Sequence, residues 1–346
     1  MNIIPEKTEP ISKHWEGLPD NYQVRPATMD DIEEVVDLFN ASSIAMIGCE
    51  DFSIPEIRND WTTPSFNLEK STRVILNQEN QIVGYADVWD VFNPPVYPFL
   101  WGRVHPEYEG KGLGTAILRW SIDRAKQVFN RVPEDARVSV RAYAISTYEP
   151  SKQLLEDHNM QMFRRSWQME INLDQSLPEP RWPDGISLVP YDHARDSEDV
   201  YRADEDAFRD HWGFLEEPFQ EGYERWLHSM IQDEEYDPNL WFIAKSGNEI
   251  AGAALCRRRS WESEDTGWVG SLFVRRPFRR QGLALALLHH AFREYKKRGK
   301  KRVGLGVDSQ NLTGATRLYK KAGMQIKRQY DRYELELRPG IELAKT

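Results

Sequence analysis

Apolar residues along this chain follow a pattern that runs its course twice. Behind Tyr22-Gln23-Val24-Arg25-Pro26, residues Ile32, Val35, Val36 and Phe39 recur at helical spacing, with Thr28 and Asp31 placed as a capping box. Behind Ile186-Ser187-Leu188-Val189-Pro190, residues Val200, Ala203, Ala207 and Phe208 do the same, with Ser197 as the expected cap. Arg58-Asn59-Asp60-Trp61 then matches Tyr223-Glu224-Arg225-Trp226. Apolar runs on either side of a polar turn predict a hairpin in each copy, Val74–Leu76 with Ile82–Ala86 and Phe242–Ala244 with Ile250–Ala254. Each copy goes on to predict a strand, a glycine turn, a long helix, a strand, a helix and a closing strand that ends near Leu173 or Leu337. The offset between copies, about 164 to 171 residues, exceeds solenoid periods and drifts as loop insertions make it drift.

The repeat sets the expected organisation: an extension over 1–21, a first domain over 22–174, a proline-rich connector over 175–185, a second domain over 186–338 and a tail over 339–346. A length of 346 residues suits two cores. The extension reads as a mobile arm or as a strap across the domains. The start lacks a basic segment followed by an apolar one, so no signal peptide is expected, and no apolar run is long enough for a bilayer. Cys49 and Cys256 support neither a disulfide framework nor a zinc site, and a reducing cytoplasm fits them best. A net charge of -10 argues against nucleic-acid binding and would suit a cationic amine. The basic run Lys296–Arg302 sits at a predicted helix C-terminus, where cations favour the dipole, and reads as a solvated helix end.

The glycine turn of the second copy carries the candidate chemistry. It reads Arg279-Arg280-Gln281-Gly282-Leu283-Ala284 and leads into a helix whose Leu283, Leu287, Leu288, Ala291, Phe292 and Tyr295 share a face. A turn that runs straight into a helix leaves the first backbone N–H groups without partners. Together with the positive end of the dipole they form an anion site. Gly282 permits close approach, Ala284 keeps the first turn uncrowded, and Arg279 and Arg280 add mobile positive charge at the rim. The implied ligand is a pyrophosphate. Neither a Walker loop nor a Gly-x-Gly-x-x-Gly fingerprint occurs here.

Together with Asn311, Tyr319 and Gly323-Met324 downstream, this turn resembles the GCN5-related N-acetyltransferase (GNAT) family. The resemblance is strong over 186–338 and weak over 22–174, and the tandem layout is similar to that of mycothiol synthase enzymes. It implies an α/β protein of two tandem domains. Each is a mixed, mainly antiparallel sheet with splayed central parallel strands, flanked by helices. It also implies an enzyme that takes acetyl-CoA as co-substrate, needs no metal, and transfers acetyl to a primary amine of a small molecule or peptide by direct attack in a ternary complex. By residue match, Leu272, Phe273 and Val274 border the carrier, and the amides of Gln281, Gly282, Leu283 and Ala284 hold its pyrophosphate. Asn311 either touches the pantetheine arm or caps a turn. Tyr319 gives a proton to the leaving thiolate, its alternative role being a core tyrosine. His211 and Trp212 belong to the segment that would wall the acceptor. The base is left open, because Trp268 stands where a carboxylate is expected and Glu262, Glu264 and Asp265 read as loop charges. In the first copy Glu109 replaces the family's Gln/Arg, and Leu155 stands in place of Tyr319, which implies a degenerate domain. The alternative function is a non-catalytic acyl-CoA sensor. The sequence leaves acyl length and oligomeric state open.

Overall fold

The computed structural model describes residues 15, 17–311 and 314–345. The first copy runs β1 (Gln23–Arg25), α1 (Ile32–Ile47), α2 (Ile54–Trp61), α3 (Leu68–Ser71), β2 (Thr72–Leu76), β3 (Ile82–Trp89), β4 (Phe99–Val104), α4 (Leu113–Ala125), β5 (Val138–Ile145), α5 (Glu149–Asp157) and β6 (Gln161–Asn172). The second runs β7 (Ile186–Pro190), α6 (His193–Phe208), α7 (Phe219–Ile231), β8 (Tyr236–Ser246), β9 (Glu249–Arg257), β10 (Thr266–Val274), α8 (Leu283–Lys297), β11 (Arg302–Asp308), α9 (Ala315–Lys321) and β12 (Gln325–Arg338).

The capping box before α1 forms, and the Thr28 amide donates to Asp31 Oδ2 at 2.7 Å. The second copy departs from its expected cap. Asp192 accepts from the Arg195 amide at 3.1 Å, so α6 starts a turn early, and Ser197 lies inside it with its hydroxyl 2.7 Å from that of Tyr223. In the extension, residues 1–14 lie outside the described residues. Its far end is strapped down: Trp15 stacks on Trp120 of α4 at 5.4 Å and Leu18 is buried. The basic run ends α8 as expected, with Arg298 paired to Glu294 and Asp237 and Lys301 to Asp265. No helix among the described residues is long and apolar enough to cross a membrane.

The twelve strands among the described residues form one sheet, in the order β1-β2-β3-β4-β5-β12-β6-β11-β10-β9-β8-β7. Every neighbour is antiparallel except β4·β5 and β10·β11. The closing strands are exchanged between the copies. β6 pairs with β11 from Asn172–Arg302 to Ser166–Asp308, and β12 pairs with β5 from Ile145–Tyr330 to Val138–Arg338. The two exchanged strands also pair with each other. The boundary between repeats in the sequence is therefore not a boundary in the sheet. A strand's alternation records which faces are buried, not which edge it joins.

The exchange reaches the cores. Met169 and Ile171 of β6 pack with Leu287, Phe292 and Leu305 of the second copy, and Tyr333 of β12 packs with Val140 and Leu155 of the first. At roughly 1.5–3 kcal/mol for each large apolar side chain buried, each copy draws a substantial part of its stability from the other. The sheet's outer edges are short, with three residues in β1 and five in β7, which limits edge-to-edge association.

Candidate active site

β10 and β11 pair only from Thr266–Arg302 to Val269–Leu305. The register of β10 against β9 then shifts between Val269 and Ser271, a bulge at Gly270. Beyond it the chain makes a short turn over Arg276–Phe278, and Arg280 and Gly282 take φ of 62° and 91° before α8 begins. Gly282 caps α8 without a side-chain bond, and the Ala286 amide returns to its carbonyl at 3.0 Å. The amides of Leu283 and Ala284 therefore stand at the open helix end. A Cβ at Gly282 would meet nothing within 4 Å, so the turn is open at this point.

Arg279 is not the mobile rim charge expected from the sequence. Its guanidinium donates to the carbonyls of Val274 and Ala207 and to Asp210, at 3.0, 2.8 and 3.0 Å, stapling the turn to the end of α6. Arg280 is exposed beside it, and the Gln281 side chain donates through Nε2 to the Pro277 carbonyl at 3.2 Å. Leu272 and Val274 pack on the α8 side of the sheet, whereas Phe273 is buried on the α6 side, so the three do not line one wall.

Tyr319 lies on α9, 7 % exposed among Leu283, Leu287 and Met324, and burial pushes its phenol up to about 12. Its carbonyl accepts from Met324 at 3.0 Å just as that of Leu155 accepts from Met160, so the two are true counterparts. Asn311 lines a cavity of about 220 Å³ with His211, Trp212, Arg141, Arg164 and Arg332. His211 packs on Phe208 at 4.5 Å and burial lowers its pKa. Trp212 lies against Phe163 and beneath the guanidiniums of Arg141 and Arg164, over strands of the first copy.

The first copy is the more open of the two in its sheet. β4 and β5 pair only at Phe99–Arg141, and a cavity of about 680 Å³ follows the gap from Trp101 past Gly112 to Tyr148 and Leu154. Gly112 caps α4 at φ 86° as Gly282 caps α8. Glu109 lines the cavity, and its carboxylate accepts from the Tyr148 hydroxyl at 2.6 Å.

Residues 33–149 and 197–324 each match the family described as Acetyltransferase (GNAT) family. The chain belongs to the GNAT family. It is 26% identical over 258 residues to the mycothiol acetyltransferase of Thermobispora bispora, spanning 72% of this chain and 79% of that one. It is 28% identical over 114 residues to the S-alkylcysteine N-acetyltransferase of Bacillus subtilis, spanning 32% and 64%. A solved GCN5-related N-acetyltransferase from Sphaerobacter thermophilus is similar at a TM-score of 0.77 and 35% identity, covering 95% of this chain and 100% of that chain. A tandem GNAT protein from the clavulanic acid biosynthesis pathway shares the fold at a TM-score of 0.67 and 13% identity, over 92% and 100%. The protein is thus an acetyltransferase with tandem GNAT regions, and the family implies acetyl-CoA as co-substrate.

The loop carboxylates of this GNAT enzyme are occupied. Lys327 and Arg328 hold Glu262 below the usual carboxylate range, Lys301 does the same for Asp265, and Glu264 stands 3.3 Å from Arg259. A further acid, which the sequence pattern does not single out, stands beside the parting strands. Asp204 of α6 accepts from Ser271 Oγ at 2.8 Å, immediately past the β10 bulge, and burial pushes its carboxyl up to about 7. In sequence it is one of several acids on α6, next to Glu205 and Asp206. Only the approach of α6 to the parting strands distinguishes it.

Proposed function

We propose that this protein transfers the acetyl group of acetyl-CoA to a primary amine of a small molecule or peptide, by direct attack in a ternary complex in the second copy. The observation that carries this reading is the Asp204–Ser271 pair at the bulge where β10 and β11 part, one short turn ahead of the open end of α8. The amides of Leu283 and Ala284 hold the diphosphate of the co-substrate, with Arg280 at the rim. Leu272 and Val274 flank the arm, and Asn311 meets it from the segment that follows β11. The acceptor arrives as an ammonium and must lose a proton. A carboxyl near 7 is well matched to that task, so Asp204 takes it, directly or across the Ser271 hydroxyl. Backbone amides at the bulge stabilise the oxyanion. Collapse expels a thiolate, and Tyr319, whose phenol stays protonated at neutral pH, returns a proton to it. The S-alkylcysteine N-acetyltransferase, by its name, acts on the nitrogen of a small amino-acid derivative, which supports a small-molecule acceptor here.

The test is CoA release from acetyl-CoA across a panel of amines, with wild type, Asp204→Asn and Tyr319→Phe. Turnover with some amine and a large loss in both variants is expected. Tight acetyl-CoA binding with no release from any amine would favour the sensor instead. The open cavity beside Gly112 supports a second reading for the first copy: it also binds the carrier, without a tyrosine to complete transfer.

A further inference from the structure

The closing strands and the first copy's α1–α2 segment enclose space that belongs to neither repeat alone. One cavity of about 450 Å³ lies between Glu50, Phe52 and Glu56 of the first copy and Glu234, Arg259 and Trp261 of the second. A second, of about 430 Å³, shares Phe52, Glu56, Trp261 and Glu262 with it and extends over Trp268, Gly306 and Asp308 to the parting of β10 and β11. The two form one trench that ends where β10 and β11 part.

Its lining is acidic and aromatic. Around the first cavity stand six carboxylates, those of Glu50, Glu56, Glu234, Glu235, Glu262 and Glu264, against the guanidiniums of Arg257 and Arg259. Those cations are already committed, Arg257 to Asp233 at 2.5 Å and Arg259 to Glu235 at 2.6 Å. Glu262 is neutralised by Lys327 and Arg328. Glu56 is different: among the described residues its carboxylate forms no ion pair, a hydrogen bond with the Ser53 backbone is its polar contact, and it lines both cavities. Burial, reinforced by Asp60 and opposed by Arg257, pushes it up to about 8, so it is a carboxyl short of a counter-ion. Asp51, on the wall of the second cavity, has a buried Oδ1 that no donor reaches. Phe52, Tyr143, Trp268 and Tyr330 supply ring faces around it, and Trp261, 39% exposed, lies edge-on to Trp268 at 5.1 Å. Such rings attract cations, and the Arg257 guanidinium lies 4.1 Å over that of Trp261. On the opposite flank, beyond Asp308, Arg164 pairs with Asp308 at 2.6 Å and Arg141 with Glu334 at 3.0 Å, while Arg332 on the wall of the second cavity donates to Ser166 Oγ at 3.5 Å.

We infer that the acceptor is a di- or polyamine-type molecule: one nitrogen reacts beside Trp268 and Asp308 while a second ammonium sits among Glu56, Phe52 and Trp261. This rests on the transferase reading above. In the reaction, the near nitrogen bonds the acetyl carbon and the C–S bond breaks; two protons leave nitrogen, one for Asp204 and one that restores the proton Tyr319 gives to sulfur. The distant ammonium keeps its proton and serves as the handle.

Three acceptors of equal chain length test this on the full chain: pentane-1,5-diamine, pentylamine and 5-aminopentanoate, whose far ends are positive, neutral and negative. With acetyl-CoA fixed, kcat/KM is expected to be at least tenfold higher for the diamine than for pentylamine, and lowest for the amino acid. Glu56→Gln is expected to collapse the diamine preference by most of that factor, and Phe52→Ala provides a second route to the same loss. Binding is read separately by tryptophan fluorescence, since Trp261 and Trp268 line the trench. Saturable diamine binding, weakened by Glu56→Gln but without turnover, would support the inference while sinking the transferase reading. Turnover that favours pentylamine or 5-aminopentanoate, or a diamine preference untouched by Glu56→Gln, would overturn the inference and leave the transferase standing. Absence of both binding and turnover with the diamine would also overturn it.

Discussion

Asp204→Asn offers a perturbation with opposite effects on activity and stability. The side chain accepts from Ser271 and is half-buried, and desolvation moves its carboxyl from 3.8 to about 7. Asparagine is near-isosteric and its Oδ1 still accepts from Ser271, so packing is kept and the titratable proton removed. The folded state holds the proton more tightly than the unfolded chain does. The native fold is therefore penalised progressively as pH rises from about 4 through about 7, and the penalty is constant above that. A shift of roughly three units corresponds to about 4 kcal/mol at pH 8, an upper value because water and local relaxation soften burial. Asparagine escapes this penalty, so Asp204→Asn should be more stable than wild type at pH 8 and equal to it near pH 4. Activity should move the other way: loss of a general base costs about 10²–10⁴-fold in kcat. In the wild type, kcat/KM should fall as pH drops below about 7. Urea unfolding at pH 4, 6 and 8, beside steady-state CoA release, reads both. A stability difference that does not change with pH, or a variant that keeps wild-type turnover, would refute the assignment.

Other expectations follow from the same geometry. Tyr319→Phe should abolish most turnover while acetyl-CoA still binds, because the phenol is buried among apolar side chains and holds no diphosphate; calorimetry beside the rate assay separates the two. Gly282→Ala forces a Cβ into the left-handed region, at about 1–2 kcal/mol, and should weaken acetyl-CoA binding through the altered turn. Calorimetry should find two acetyl-CoA sites per chain, and Lys111→Glu should weaken only one of them; a single site with one affinity would mean that the cavity beside Gly112 stays empty. Either half expressed alone, 15–184 or 185–345, should fail to give a cooperatively melting monomer, and mixing the two during refolding should restore one. A stable monomeric half would contradict the strand exchange.

The sequence by itself determined the duplication, the order of helices and strands, the glycine turn ahead of α8 and the membership of a family of acetyl carriers' enzymes. These are local properties. Apolar spacing, a cap such as Thr28 with Asp31, and a glycine at positive φ are set by residues near one another along the chain. Even the loss of the tyrosine in the first copy was legible, because Leu155 and Tyr319 hold the same place in the same local motif. Tertiary structure alone decided the rest. Strand alternation does not name a partner, so nothing in the pattern of Gln161–Asn172 or Gln325–Arg338 assigned β6 to β11 or β12 to β5. Arg279 read as a free cation until α6 placed Asp210 and the Ala207 carbonyl against it. Asp204 meets Ser271 across 67 residues, and Glu56 faces Trp261 across the two copies; their chemistry comes from burial and proximity, which a linear pattern does not encode.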